Sequence, residues 1–189
     1  MKQRIILGVS GASGSILAWY AAKALKEQGV ELHMIVSRAA EQTWHIETKR
    51  PVSELTNPAD VLYHFHDMTA AVASGSFRTA GMMIVPCSMK TLSGIVTGYT
   101  DNLLLRAADV CLKENRKVVL CPRETPLGKV HLRNLCTAAE LGCTIIPPVM
   151  SFYSGQTTME DQIHHITGKL LMQFDLDYPL FHPWEGVKL

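Results

Sequence analysis

The sequence predicts an α/β fold of three layers, a parallel β-sheet with helices on both faces. Short apolar runs alternate with segments of helical spacing along the 189 residues, and the runs tend to end in glycine, serine or proline. Continuous apolar runs are typical of strands buried on both faces, and strands that alternate with helices form βαβ units. At a prior of roughly 150 residues per domain, residues 1–189 form a single domain.

Apolar runs predict the strands, and helical spacing predicts the stretches between them. The predicted strands are residues 4–10, 32–36, 82–85, 117–121 and 144–146. The predicted helical stretches are residues 16–25, 38–44, 88–113, one that ends near 142 and one that begins at 158. The segment 51–77 interrupts this alternation, and its run at 62–66 could be an additional strand.

Residues at the ends of these stretches support the boundaries. Gly29 stands where a glycine would terminate the first helix. Ser37 is a suitable N-cap for the second helix. Thr158 and Asp161 form a capping-box-like pair at the start of the last one.

Composition excludes several classes of protein. Lys and Arg number 18 and Asp and Glu 17, which gives a net charge of +1, and hydrophobic residues make up 47%. A disordered chain needs low hydrophobicity and high net charge, and nucleic-acid binding is favoured by a basic field that is missing here. Charged residues reach only 19%. That low fraction indicates either a large interior or subunit faces hidden in an oligomer.

Cysteine usage and the N-terminus predict a cytoplasmic protein. The five cysteines include no C-x-x-C pair and no zinc framework, which favours free, mostly buried thiols in a reducing compartment. Glycines and serines at 10–15 interrupt the apolar stretch that an export signal would need. No run approaches the roughly 20 apolar residues of a membrane span.

Small and polar residues follow every predicted strand, and this pattern predicts a ligand site. In an open parallel sheet, ligands bind beyond the carboxyl ends of the strands. Those ends are residues 8–15, 37–38, 86–88, 122–125 and 147–153. Any single βα connection needs such a turn, but several serine-bearing turns at one edge favour a phosphate-bearing ligand.

The ligand is better described as a mononucleotide than as a dinucleotide. The first turn reads G-x-x-G-x-x-G, which differs from the dinucleotide fingerprint. The second strand ends in Ser37-Arg38 and has no acidic residue to hold an NAD ribose. FMN, with one phosphate, is the natural candidate.

Charged and titratable residues outside the turns give weaker signals. Arg106 and Lys113 lie seven residues apart and share one helix face. Solvated surface charge is the ordinary interpretation of such residues. His64 and His66 lack a third ligand, so no metal site is predicted. His164-His165 is interpreted as an exposed helix face, and no G-x-S-x-G motif supports a serine triad.

Several blocks together resemble the UbiX-type flavin prenyltransferases. The blocks are residues 8–15, 86–94, 105–110, 112–114, 122–126 and 152–153. The likeness is greatest to members paired with a phenolic or hydroxyarylic acid decarboxylase. It runs over nearly the whole chain, and it is the combination of blocks that makes it specific.

The resemblance implies a Rossmann-like (flavodoxin-like) flavoprotein domain that binds FMN and assembles as a homododecamer. It implies transfer of a dimethylallyl group from dimethylallyl phosphate to N5 and C6 of reduced FMN, without a metal. The product, prenylated FMN, would serve a UbiD-type decarboxylase as its cofactor. The tail from about residue 175 is expected to pack on the site or on a neighbouring subunit.

The resemblance also implies roles for individual residues. The implied catalytic residues are Glu47, Glu124 and Ser13. The implied FMN-binding residues are Gly11, Ala12, Ser13, Ser37, Ser88, Met89, Lys90, Thr91, Arg123 and Trp184. The implied substrate-binding residues are Tyr153, Lys169, Arg106 and Lys113. Glu47 would help the N5 proton leave or orient the flavin, and Glu124 or the released phosphate would take the proton lost on ring closure.

One residue departs from the pattern of the family. Lys169 stands where many relatives have arginine, which keeps the charge but loses the bidentate fork, so phosphate affinity is the property that would change.

Alternative functions are an FMN-dependent decarboxylase of aromatic acids and a non-catalytic FMN carrier. Related cysteine decarboxylases use an asparagine-bearing motif, whereas residues 86–90 contain no asparagine.

Overall fold

A computed structural model describes residues 2–153, 155, 157–184 and 186 and gives the chain a sheet of parallel strands. The strands are β1 Arg4–Val9, β2 Glu31–Val36, β3 Val61–Tyr63, β4 Gly81–Cys87, β5 Lys117–Pro122 and β6 Cys143–Ile145. Their order across the sheet is β3-β2-β1-β4-β5-β6. This is the strand order of Rossmann folds. Strands β1 to β3 are added toward one side of the sheet and β4 to β6 toward the other, so the strand order reverses between β1 and β4.

Helices cover both faces of the sheet, so the predicted three-layer fold is confirmed. The helices are α1 Ser15–Glu27, α2 Arg38–Thr48, α3 Val52–Thr56, α4 Met89–Thr97, α5 Leu103–Lys113, α6 Lys129–Glu140 and α7 Met159–Met172. Buried side chains of α1, α2, α3 and α7 form the core on one face. Those of α4, α5 and α6 form the core on the other.

Burial explains why the strand sequences are continuously apolar. All seven residues of β4 are buried, as are the last five of β1 and of β2. Fully burying an aliphatic side chain contributes about 1.5–3 kcal/mol, so the central strands supply much of the stability. Helix α6 differs, because Ala138 is its one buried residue while Val130 and Leu132 are exposed.

The predicted helix caps are confirmed. The hydroxyl of Ser37 accepts a hydrogen bond from the N–H of Ala40 (3.1 Å). Thr158 and Asp161 make both bonds of a capping box at the start of α7. Gly29 follows α1 with a positive φ of 73°.

The long stretch predicted at 88–113 is two helices rather than one. Gly98, with a φ of 66°, ends α4, and Asn102 begins α5 by accepting from the N–H of Leu105 (3.1 Å). The additional strand predicted at 62–66 exists as the shorter β3. It pairs with β2 at residues 33–35.

The tail, residues 177–184, folds back along α7 of its own chain. The hydroxyl of Tyr178 lies 2.7 Å from Nδ1 of His164, and the rings of Trp184 and Tyr153 lie 5.5 Å apart. The side chain of His164 is only 15% exposed, so the interpretation of this residue as an exposed helix face was wrong. The single-domain assignment stays a prediction, and residues 185 and 187–189 of the predicted C-terminal segment lie outside the described residues.

A cluster of polar side chains near the amino ends of β1 and β2 links the strands β1, β2 and β3. The carboxylate of Glu31 accepts from Nε of Arg4 (3.0 Å) and lies 3.1 Å from Nε2 of His33. Nδ1 of His33 lies 2.9 Å from the Tyr63 hydroxyl. Because His33 is buried, satisfying both of its nitrogens avoids the cost of an unpaired polar group.

Candidate functional site

The carboxyl ends of β1 and β4 lie side by side, and Ser10 ties them together. Its hydroxyl donates to the carbonyl of Pro86 (2.9 Å) and accepts from the N–H of Ser88 (2.8 Å). The strand order reverses here, which is where ligands bind in such sheets. Ser10 did not stand out in the sequence, since its two partners lie far along the chain.

The first turn of α4 provides an anion site beside this junction. Ser88 is the N-cap, and its hydroxyl accepts from the N–H of Thr91 (3.3 Å). The N–H groups of Met89 and Lys90 come before the first intrahelical bonds, and no described residue accepts from them. Free N–H groups at the positive end of a helix dipole bind phosphate. This donor set fits the phosphate of FMN.

The loop after β5 borders the same turn. The N–H of Arg123 donates to the carbonyl of Cys87 (3.2 Å), which places residue 123 beside the N-cap of α4. The side chains of Arg123 and Glu124 are exposed, and the carboxylate of Glu124 accepts from the N–H of Thr125 (2.9 Å). Both side chains therefore face solvent at the ligand-binding edge.

The loop between β1 and α1 packs against the start of α2. The N–H of Ser37 donates to the last carbonyl of β1 (3.0 Å), so the two strand ends are joined here too. Gly11 lies so close to Ala39 that a Cβ at position 11 would overlap that side chain. Gly11, Ala12 and Ser37 thus lie at the same sheet edge as Ser88.

Glu47, near the end of α2, reaches across to the N-terminus of α1. Its carboxylate accepts from the N–H of Gly14 (2.9 Å) and from both the N–H and the hydroxyl of Ser15 (2.9 and 2.6 Å). Gly14 adopts a φ of 98°, which few side chains tolerate. The N-terminus of α1 therefore holds a carboxylate of the chain itself where a phosphate could otherwise bind.

The hydrogen bonds to Glu47 determine its charge state. Burial alone would raise the pKa of Glu47, but hydrogen bonds from Ser15, Ser13 and the Gly14 backbone outweigh it and hold the pKa below its ordinary value. The carboxylate is therefore ionised at neutral pH. A general base is most effective with a pKa near the operating pH. The geometry thus favours the orienting role of Glu47 over the proton-removing one.

A second group of predicted site residues lies on α7 and the tail. Lys169 is an exposed cation of α7. The rings of Tyr153 and Trp184 meet edge to face at an interplanar angle of 88°, and both remain more than half exposed. An aromatic pair with one solvent-exposed side is suited to contact the apolar group of a substrate, and Lys169 offers one positive charge on α7.

Arg106 and Lys113 are not brought to this group within one chain. Both lie on α5, which packs on the face of the sheet opposite α7. Arg106 pairs with Asp109 (2.8 Å) and donates from Nε to the carbonyl of Ala73 (3.1 Å), and Lys113 pairs with Glu114 (2.9 Å). Their proposed contact with substrate requires a neighbouring copy.

Thiols and possible metal ligands are arranged as follows. All five cysteines are free thiols, of which Cys136 alone is exposed, and burial raises the pKa of Cys121 to about 12. The prediction of free, mostly buried thiols is confirmed. In the part of the chain that the structure describes, no group of three or more His, Cys, Asp and Glu residues could hold a metal ion. No helix there has both the length and the apolar character to cross a bilayer.

Fold and site together define a Rossmann-like protein that binds a phosphate-bearing mononucleotide across the ends of β1 and β4. Comparison with known proteins agrees with this class. The family model described as Flavoprotein matches residues 1–172. A probable UbiX-like flavin prenyltransferase of Sedimentibacter hydroxybenzoicus is 52% identical over 186 residues, which are 98% of each chain.

Two solved structures extend the likeness to three dimensions. AnUbiX in complex with FMN and dimethylallyl pyrophosphate is 43% identical, with a TM-score of 0.97 over the whole of both chains. A dodecameric FMN-dependent UbiX-like decarboxylase of Escherichia coli is 42% identical, with a TM-score of 0.95 over 97% of this chain and 100% of that one. The chain belongs to the flavoprotein family, among its UbiX-like flavin prenyltransferases.

Proposed function

We propose that the protein transfers a dimethylallyl group from dimethylallyl phosphate to N5 and C6 of reduced FMN, and that the prenylated FMN goes to a UbiD-type aromatic acid decarboxylase. The observation that carries the proposal is the pair of helix N-termini at one sheet edge. That of α4 is open to a phosphate, and that of α1 is closed by Glu47. In a UbiX-like chain, this arrangement supports the binding of one flavin phosphate at the N-terminus of α4. The loop between β1 and α1, called the α1 loop, lies beside it and is held rigid by Glu47.

In this proposal FMN is held by four neighbouring segments. The Ser88–Thr91 turn binds the phosphate with its N–H groups and hydroxyls, and Arg123 adds a cation at the border of that turn. Gly11 to Ser13 and Ser37 form the floor of the same edge. Reduced flavin supplies an electron-rich nucleophile when bound.

The substrate phosphate is proposed to bind at the tail and α7. Tyr153 donates from its hydroxyl and Lys169 contributes a cation, while Arg106 and Lys113 of a neighbouring copy supply further positive charge. Breaking the allylic C–O bond builds negative charge on the phosphate, and fixed cationic donors stabilise that charge. Trp184 offers an aromatic face to the positive allyl group.

The carboxylates are proposed to have different tasks. Glu47, ionised and bound to four donors, holds the α1 loop and Ser13 against the flavin. Glu124 is exposed and accepts from Thr125, so it remains accessible to receive the proton released on ring closure, a role that the departing phosphate can share.

A dodecamer in the cytoplasm is proposed as the working form. The UbiX-like decarboxylase of Escherichia coli is dodecameric, and here the apolar Val130 and Leu132 of α6 are exposed in the single chain. Such side chains would be buried between copies, and the proposed substrate site further requires that α5 of one copy lie against α7 of another. Free thiols support a reducing compartment.

The test is to incubate the purified protein with reduced FMN and dimethylallyl phosphate, and to record the mass of the flavin. A gain of one dimethylallyl unit supports prenyl transfer, whereas an unchanged flavin leaves an FMN carrier. A second candidate is an FMN-dependent decarboxylase, favoured by the name of the Escherichia coli relative. Release of carbon dioxide from an aromatic acid, with no partner protein and no prenylated flavin, would establish that function instead.

A further inference from the structure

The tail crosses α7 at Gly168, and the two segments approach so closely there that only glycine fits. Gly168 lies inside α7 and is buried. A Cβ at this position would overlap both Cβ and Cγ of Phe181 in the tail. These atoms are near the backbone and cannot swing away as the end of a flexible side chain could. Glycine inside a helix costs about 1 kcal/mol relative to alanine, so its presence here is offset by what the crossing allows.

A second anchor lies one helical turn earlier, on the same face of α7. The hydroxyl of Tyr178 is 2.7 Å from Nδ1 of His164. Burial, with nearby Glu27, Tyr20 and Glu160, raises the pKa of Tyr178 to about 12, so its hydroxyl keeps its proton and shares a hydrogen bond with Nδ1 of His164.

His164 connects the tail to the rest of the domain. Nε2 of His164 faces the carboxylate of Glu160 at 3.7 Å, and that carboxylate accepts from the hydroxyl of Tyr20 (2.9 Å). Tyr20 belongs to α1, the helix whose N-terminal N–H groups donate to the carboxylate of Glu47. We call this set of hydrogen bonds the Glu47 clamp. The tail is therefore held by His164 of α7, and α7 is in turn joined to α1 through Glu160 and Tyr20.

These anchors determine where Trp184 lies. Trp184 follows Phe181 by three residues, and its ring meets that of Tyr153 at 5.5 Å. Lys169 directly follows Gly168 in α7. The tail thus contacts α7 next to Lys169, through Phe181 at Gly168, and it contacts Tyr153 through Trp184. Lys169 and Tyr153 are the two residues proposed to hold the substrate phosphate.

We propose that Gly168 and His164 are positioning residues that dock the tail on α7, so that Trp184 braces Tyr153 and the substrate phosphate is held tightly. This proposal rests on the prenyl-transfer function above. Neither residue touches the substrate, and each acts through the tail. Docking should therefore affect KM for dimethylallyl phosphate more than it affects FMN binding.

Gly168→Ala is the first test. Alanine favours a helix more than glycine does, so α7 itself is not weakened, while the tail is pushed off. We expect the Trp184 fluorescence to shift in the absence of any substrate, measured by subtracting the same protein with Trp184→Phe. We expect KM for dimethylallyl phosphate to rise about threefold to tenfold, as for the loss of one aromatic pair, with a smaller change in the Kd for FMN. Met172→Ala, an exposed position on the same helix, is the control and should change neither value.

A double-mutant cycle separates tail docking from a direct effect on Lys169. Phe181→Gly removes both the Cβ and the ring that Gly168 accommodates, so Gly168→Ala should add little to the KM of Phe181→Gly. An equal rise of KM in both backgrounds would show that residue 168 acts through Lys169, and it would overturn the proposal. Unchanged Trp184 fluorescence in Gly168→Ala would overturn it as well.

His164 is tested by removal and conservative rescue. His164→Ala should shift the Trp184 fluorescence and raise KM about threefold, as expected for loss of one buried hydrogen bond. His164→Asn places an amide near Nδ1 and should restore both values in large part. Failure of the alanine variant to shift the fluorescence contradicts the proposed anchor. Because the fluorescence needs no substrate, it also distinguishes failure of docking from failure of prenyl transfer.

Discussion

Replacing Glu47 by glutamine tests the clamp between α2 and α1. The carboxylate accepts from Gly14 and twice from Ser15, all within 2.9 Å. Glutamine keeps one accepting oxygen but turns an NH₂ group toward the remaining donors. Hydrogen bonds to a charged group contribute about 1.5–3 kcal/mol and neutral ones about 1. Because Glu47 is partly solvated, the expected loss of unfolding free energy is about 1–2 kcal/mol.

That loss has a defined pH dependence. The pKa of Glu47 is lowered in the folded state, so the unfolded chain binds more protons in the interval between the two pKa values, and stability rises with pH there. The contribution is complete above the unfolded pKa of about 4.3. It is lost as the pH falls through the lower folded value, where the wild-type side chain becomes neutral like glutamine.

The assay is thermal unfolding of wild type and Glu47→Gln at fixed protein concentration. At pH 7 we expect Tm to fall by about 2–8 °C for a chain of this size. As the pH falls below the unfolded pKa of about 4.3 and through the lower folded value, the difference should shrink. Glu41→Gln, at an exposed position in the first turn of the same helix, removes the same charge and loses only its attraction to the helix dipole, so it should lower Tm at pH 7 by less than Glu47→Gln does. An equal Tm at pH 7, or a difference that persists in acid, would refute the reasoning. Wild-type prenylation rates in Glu47→Gln would remove its orienting role.

The other predictions concern the ligand sites and the thiols. Lys169→Arg should lower KM for dimethylallyl phosphate about twofold to fivefold, because a planar fork binds phosphate with two bonds; a higher KM in steady-state assays would contradict phosphate binding there. Ser88→Ala should destabilise α4 by about 1 kcal/mol and raise the Kd for FMN in a fluorescence titration, whereas Ser93→Ala on the same helix should leave that Kd unchanged. In the native protein a thiol reagent should leave Cys87, Cys111, Cys121 and Cys143 unmodified, because the fold buries them; rapid modification of any of these four would contradict the packing.

Elements whose causes are local could be predicted from the sequence. Ser37 and its bond to Ala40 span three residues, as do Thr158 and Asp161, so the pattern alone identifies these caps. Strands that are buried along their whole length leave continuous apolar runs. The break at 98–102 was missed because apolar spacing continues on both sides of it, which conceals the cap at Asn102.

Contacts between distant segments could not be predicted in the same way. Glu47 binds N–H groups more than thirty positions away, and neither segment has a pattern that identifies its partner. His164 has the composition of a solvated face until Tyr178 covers it. Family resemblance supplied the candidate residues, but the clamp at Glu47 and the crossing at Gly168 depend on tertiary packing.

Mutations in the polar cluster near the amino ends of β1 and β2 should differ in their effects from mutations at the proposed ligand site. Arg4, Glu31 and His33 are bonded to one another near the amino ends of β1 and β2, away from the proposed ligands, and Tyr63 at the end of β3 bonds to His33. A random-mutagenesis screen should therefore give two separable groups of defective variants. Changes in this cluster should lower the amount of folded protein in the cell while each surviving molecule turns over normally. Changes at the exposed Lys169 or Tyr153 should leave abundance largely intact and reduce turnover.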